Sequence, residues 1–261
     1  MQQTETIQQE FNSLPVRQVD PGRPLQWLAA GWRDLVRAPR QSLSFGLVFA
    51  VVGFLLIGLG ASQPHLVTSA VSGFFLIGPF LALGLYQISR RLERSQPVSL
   101  KDAMTAWQGN YSIGLFAALL AFALISWERI SAILFALLYS GNIATLDNLA
   151  YTLFLSGEHM GFALAYIIVG GTLAVLVFAF SVVSVPAMLD QRCDTITAMV
   201  TSLQATRGSA PAMALWAALI VILVGVGFAT AFLGLIVLMP LLGHATWHAY
   251  RDLVELASGA D

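Results

Sequence analysis

The chain has 261 residues, of which 57% are hydrophobic and only 10% charged, against about 25% charged in a soluble domain. Several stretches run for roughly 20 residues almost without charge, which excludes an ordinary soluble enzyme and points to a multi-pass helical membrane protein. A net charge of −1 hides an uneven distribution, and the single cysteine, Cys193, excludes an internal disulfide or a Cys-x-x-Cys site.

Residues 1–24 are polar, Gln-rich and interrupted by Pro15, Pro21 and Pro24. They lack the apolar core of a cleavable signal, so a disordered cytoplasmic tail is expected, with the first span serving as the insertion signal. "LQWLAAGWRDLVRAP" follows from residue 25, with Leu25, Leu28, Trp32 and Leu35 as one apolar stripe and Pro24 suited to a first helical turn. Apolar runs at about 43–61 and 66–88 read as the first two spans. A second amphipathic segment, "SLKDAMTAWQGN" from 99, carries Leu100, Met104 and Trp107 behind an N-cap at Ser99. Spans at 111–138 and 160–185 follow it. A third, "DTITAMVTSLQATRG" from 194, carries Ile196, Met199, Val200 and Leu203 behind Asp194, and spans at 212–230 and 232–250 close the chain. The last boundary is the least marked, because 212–243 is one apolar run, readable as an overlong helix or as a tight hairpin through Gly225 to Gly234.

Charge orients these elements. With six spans and both termini inside, 12 of the 13 basic residues fall on the cytoplasmic side, and only Arg129 lies elsewhere. The outer connection at 140–159 holds Asp147 and Glu158 and no Lys or Arg. Five spans would leave Arg251 outside.

The spacing predicts an internal repeat. Each short amphipathic segment precedes a pair of spans, and the second span of each pair contains a proline, Pro79, Pro186 or Pro240, that bends the helix. "GPFLALGLYQISRRL" aligns with "MPLLGHATWHAYRDL", pairing Arg90 with Arg251 and Tyr86 with Trp247, while Leu83 and Gln87 stand where His244 and His248 stand. The fold expected is therefore an all-α membrane protein, a tail at 1–24 and a six-span domain at 25–257. That domain is built from interfacial-helix-plus-hairpin repeats at about 25–90, 99–189 and 194–252, closing around a common axis.

"GWRDLVRAPRQSLSFGLVF", "FAFSVVSVPAMLDQRCDTITAMVTS" and "PLLGHATWHAYRDLV" resemble a bacterial family of integral membrane proteins defined only as a domain of unknown function. The resemblance covers nearly all of the chain after residue 24 and implies a six-span inner-membrane protein without an established activity. Members are sometimes loosely labelled as like cytochrome c oxidase subunit I. The haem and copper centres of that subunit take more histidines than the four of this chain.

His244 and His248, four apart on one helix face, are the candidate metal or haem ligands, with Asp190, Cys193 and Asp102 as further donors at the same level. His65 and His159 lie at the opposite surface. The plainer expectation is that both imidazoles join Trp247 and Tyr250 in an interfacial belt without metal or cofactor. Glu128 and Arg129 form a charged pair region inside the third span, near its outer end, read as an anchor or as part of a transport or binding site. Cys193, flanked by Asp190 and Asp194, is expected to be unreactive. No phosphate loop, dinucleotide fingerprint, His-Glu-x-x-His or Gly-x-Ser-x-Gly occurs. The expected partners are the lipid bilayer, anionic headgroups at the inner surface and a protein in the membrane, with no nucleic acid. These readings add up to a non-enzymatic inner-membrane protein acting in membrane organisation, as a complex accessory, or as a channel or carrier. The alternative is a redox protein binding metal or haem through His244 and His248.

Overall fold

The computed structural model describes residues 13–62, 82–138 and 159–255. Within them the chain is helical, with one isolated bridge between Val16 and Val254. The helices are α1 (Arg23–Arg37), α2 (Pro39–Ser62), α3 (82–93), α4 (Leu100–Met104), α5 (Ser112–Leu138), α6 (Met160–Ser181), α7 (Ser184–Gln191), α8 (Thr195–Gly208), α9 (Ala210–Ala229) and α10 (Leu235–Leu253). A 3-10 turn, Ala106–Gly109, follows α4. Two compact units result, Met1–Ala117 with Ala179–Asp261, and Ala118–Phe178.

In the first unit α10 is the hub, packed against α1, α2, α7 and α9. Trp27, Gly31, Asp34 and Leu35 form the buried face of α1, and a Cβ on Gly31 would sit 2.7 Å from the Ala245 backbone nitrogen. Only glycine lets the two backbones cross so closely. The same holds at Gly46 of α2, where a Cβ would overlap the Ile236 carbonyl. That carbonyl is the one whose usual helical donor is missing, since Pro240 has no N–H. Opposite the buried face of α1, Leu25, Trp32 and Val36 are exposed. Of the expected stripe, Leu25 and Trp32 are exposed, Leu28 is half-buried and Leu35 turns inward.

α1 and α2 meet at 108°. Ala38 breaks the helix with φ −131° and ψ 57°, because a residue before proline is pushed out of the helical region and Pro39 then starts the next helix. α6 is interrupted at Val182 and Val183, where the ring of Pro186 would meet the carbonyl four residues earlier. Ser202 of α8 repairs the gap: its hydroxyl donates to the Ala179 carbonyl at 2.8 Å and accepts from the Val183 N–H at 3.3 Å. Asp194 caps α8, accepting from Ile196 N–H at 2.9 Å and Thr197 N–H at 3.0 Å, as its position suggests. Ser99 precedes α4 but makes no side-chain cap. The apolar run after residue 212 divides at Thr230–Gly234, with Ala231 and Phe232 at positive φ, so the hairpin reading is the one realised.

Residues 13–22, expected within a disordered tail, instead lie along the end of α10 and α8. Arg17 N–H donates to the Leu253 carbonyl at 2.8 Å and Glu255 N–H to the Pro15 carbonyl at 2.9 Å, while the N–H groups of Leu14 and Val19 reach Thr201 Oγ1 and Ser209 Oγ. Main-chain pairing needs no apolar side chains, which is why composition does not reveal it.

In the second unit, Ala118 onward of α5 and α6 up to Phe178 pair through aromatic rings. Trp127 meets Tyr166 edge-on at 4.9 Å, Phe135 meets Phe162 at 5.8 Å, and Gly170 makes room for the Trp127 indole. Phe122, Leu137, Ile168 and Val175 are exposed, the arrangement of helices whose outer surface is solvated by lipid.

Among the described residues, three helices are long and apolar enough to cross a membrane: Ser112–Leu138, Met160–Gln191 and Ala210–Ala229, with a fourth if the bent pair α1–α2 counts as one span. They correspond to the expected third, fourth and fifth spans, with the bent pair at the first. Most of the expected second span at 66–88, including Pro79, lies outside the described residues. The expected sixth is α10, whose residues 244–253 include two histidines, an arginine and an aspartate and keep it out of that set.

Candidate functional site

The i, i+4 spacing on α10 aims His244 and His248 at one carboxylate, Asp34 of α1. His248 Nε2 lies 2.8 Å from Asp34 Oδ2. His244 reaches the same oxygen through a serine, with Nδ1 2.8 Å from Ser89 Oγ of α3 and Ser89 Oγ 2.8 Å from Asp34 Oδ2. His244 Nε2 lies 2.9 Å from Ser42 Oγ, in the first turns of α2. Four helices therefore supply one continuous polar chain.

Its direction follows from valence. An ionised carboxylate only accepts, so the Ser89 hydroxyl donates to Asp34 and must itself accept from His244 Nδ1–H. A neutral His244 then has an unprotonated Nε2, to which Ser42 donates. His248 donates to Asp34 from the other side. Every proton in the chain points toward Oδ2, and each hydrogen bond to the carboxylate is charge-assisted.

The chain is buried almost throughout. Ser42, Ser89 and His244 are 0% exposed and Asp34 is 5% exposed. The His248 side chain, 27% exposed, is its outlet. There a cavity of about 190 Å³ opens between Arg33, Arg37, Asp34, Ser89, Glu93 and His248. Burial on its own would raise the Asp34 pKa, but the hydrogen bond and charge of His248, with the bond from Ser89, outweigh it and hold the carboxyl below its usual range.

The interfacial-belt expectation is corrected here: His244, Trp247 and Tyr250 are buried among helices rather than presented at a surface. Tyr250 and Trp247 serve a second polar cluster. Asp190, 3% exposed, takes Arg90 Nε at 3.0 Å, Arg94 at 3.2 Å, Arg251 at 3.5 Å and the Tyr250 hydroxyl at 3.0 Å. Glu93 takes Arg251 at 2.7 Å and the Trp247 indole N–H at 3.0 Å. Asp252 takes Arg23 and the Trp27 indole N–H. Its pKa would rise with burial, yet Arg23 and Trp27 bring it below the usual value.

Asp190 is thus committed to arginines, Asp102 is paired with Arg91 at 3.0 Å, and burial followed by the Asp194 charge pushes the Cys193 thiol up to about 11. Among the described residues no three His, Cys, Asp or Glu form a group able to hold a metal ion. Both ring nitrogens of His244 are taken by serine hydroxyls. No ion pair joins the half-buried Glu128 to the exposed Arg129, and Trp127, which precedes them, packs on Tyr166. His65 lies outside the described residues.

Asp34, Ser42 and Ser89 escape a reading of the sequence. A signal for Asp34 does exist: it follows Trp27 by seven positions and Gly31 by three, which puts it on their helix face rather than among the solvated residues. Ser42 and Ser89 carry no comparable signal, because a serine in an apolar helix is ordinary.

Residues 66–190 match the family described as "Predicted integral membrane protein (DUF2189)". No curated protein and no solved structure matches the chain.

Proposed function

We propose, from the match of residues 66–190 to this family of predicted integral membrane proteins, that the chain is a non-enzymatic, proton-linked carrier of the bacterial inner membrane. In this reading it crosses six times with both termini cytoplasmic, as three units of a surface helix and a hairpin. The 108° bend that turns α1 into α2 and the capped α8 ahead of the α9–α10 hairpin support the units. Arg90 and Arg251, equivalent in two of them, converge on Asp190.

One observation carries the carrier reading: a buried carboxylate, Asp34, collects every proton of a serine–histidine chain that opens to a cavity beside His248. Burying a charge among helices is costly unless it is paired and hydrogen-bonded, and such perturbed groups cluster where protons or ions are handled. His248, at the Arg33–Arg37 cavity, takes up and releases the proton and is the cytoplasmic mouth, Asp34 is the anion that holds that proton in place, and Ser89, His244 and Ser42 fix the carboxylate from the buried side. The redox alternative finds no support, as the His244 nitrogens are already engaged.

The test is proton entry into vesicles containing purified protein and a pH-sensitive dye, driven by a potassium diffusion potential. Wild-type protein should admit protons faster than protein-free vesicles, and Asp34→Asn, checked for an unchanged helical spectrum, should not. Equal rates for the two proteins would refute the assignment of Asp34.

A further inference from the structure

The segment 100–109, α4 and its 3-10 turn, separates two cavities of opposite character. On one side a cavity of about 240 Å³ is bordered by Arg90, Arg91, Arg192, Gln87 and Asn110. On the other, a cavity of about 370 Å³ is bordered by Phe45, Val48, Leu83 and the apolar face of the segment. Asp102, Thr105 and Gly109 face the first, and Leu100, Met104 and Trp107 the second. One thin wall thus has a cationic pocket behind it and an apolar trough before it.

The polar pocket has capacity to spare. Arg91 gives NH2 to Asp102 and NH1 to the Pro97 carbonyl, while its Nε is buried without a hydrogen-bond partner. Gln87 Oε1 is likewise buried and unpartnered. Arg192, held at φ 52° just after α7, makes no ion pair among the described residues. Unmet donors on two arginines suit the oxygens of a phosphate, and an unmet acceptor suits a hydroxyl. Leu100, Met104 and Trp107 are exposed, continuing the trough onto the surface. An inorganic anion would fill the pocket and leave the trough empty.

We propose that segment 100–109 is a binding site for an anionic, hydroxyl-bearing phospholipid of the inner leaflet. Its phosphodiester lies between Arg91 and Arg192, a headgroup hydroxyl donates to Gln87, and one acyl chain runs along Leu83, Phe45 and Trp107. The site is separate from Asp34 and stands whether or not the protein carries protons.

The experiment is a titration of the full chain in detergent with phosphatidylglycerol, phosphatidylcholine, glycerol phosphate and inorganic phosphate, read by native mass spectrometry and melting temperature. Phosphatidylglycerol should bind and raise the melting temperature, and the other three should do so at least about tenfold more weakly. Arg192→Asn, which keeps the left-handed backbone favourable, and Trp107→Ser should each weaken phosphatidylglycerol binding about five- to tenfold, while Asp34→Asn should not change it. Equal binding of phosphatidylcholine would remove the role of the cationic pocket. Equal binding of glycerol phosphate or inorganic phosphate would make the site one for soluble anions. Unaltered lipid binding in a folded Arg192→Asn protein would overturn the proposal.

Discussion

Asp34 holds two helices of the first unit together from within. It accepts from Ser89 on α3 and His248 on α10, so replacing it leaves buried donors without an acceptor, at about 1–3 kcal/mol for each unsatisfied group. The acid response follows from the direction of its pKa. With the folded value below the ordinary 3.8, the folded state releases its proton more readily than the unfolded chain. The stabilisation is fully present above about pH 4 and fades as pH falls through the lower, folded-state value. Asp252, lowered by Arg23 and Trp27, adds a fall of the same sign. Melting temperatures measured from pH 7 to 3 should hold steady in this contribution down to about pH 4 and then drop. Asp34→Asn should melt lower at neutral pH and show a shallower acid drop. Gly46→Ala is a second test at this scale, since its Cβ would meet the Ile236 backbone, which has no side-chain torsion with which to retreat. A loss of about 1–3 kcal/mol is expected, the usual cost of overpacking, against no more than a few tenths for Gly114→Ala, where nothing lies within 4 Å.

At the level of elements, the break between α6 and α7 depends on a partnership between a proline and a serine. Pro186 interrupts the helix, and Ser202 supplies the hydrogen bonds that Ala179 and Val183 would otherwise make with each other. Ser202→Ala alone should cost about 1–3 kcal/mol, because it strands a carbonyl and an N–H in a buried place. Pro186→Ala in the same chain should return part of that loss, as the helix is then free to close its own ladder. A double-mutant cycle read by thermal unfolding measures the coupling. An additive result would mean that the break has another cause.

For the whole molecule, orientation is the property most open to test. Reporter fusions at residues 62, 145 and 261 should read outside, outside and inside, as six spans with cytoplasmic termini require. An outside C-terminus would leave α10 on the inner side of no span and remove the third hairpin. It would also conflict with a cytoplasmic placement of Arg251 and of the other arginines gathered around Asp190.

Composition by itself determined that this is an integral membrane protein of helices, and where most of them begin and end. Apolarity is a sum over neighbouring residues, and caps and prolines act within a turn, so Asp194, Pro186 and the runs at 111–138 and 212–230 are legible one window at a time, each within a few residues of the helix observed. The i, i+4 face shared by His244 and His248 was legible on the same ground. What those histidines meet was not. Their partners Asp34, Ser42 and Ser89 are 214, 202 and 155 positions away, brought into reach by the glycine crossings of α1 and α2 on α10. Read locally, Asp34 is one more charge on a surface helix and the histidines are rings at a membrane edge. Only the tertiary structure turned them inward, because a hydrogen bond is decided by the meeting of two groups within about 3 Å, and no window of sequence contains both.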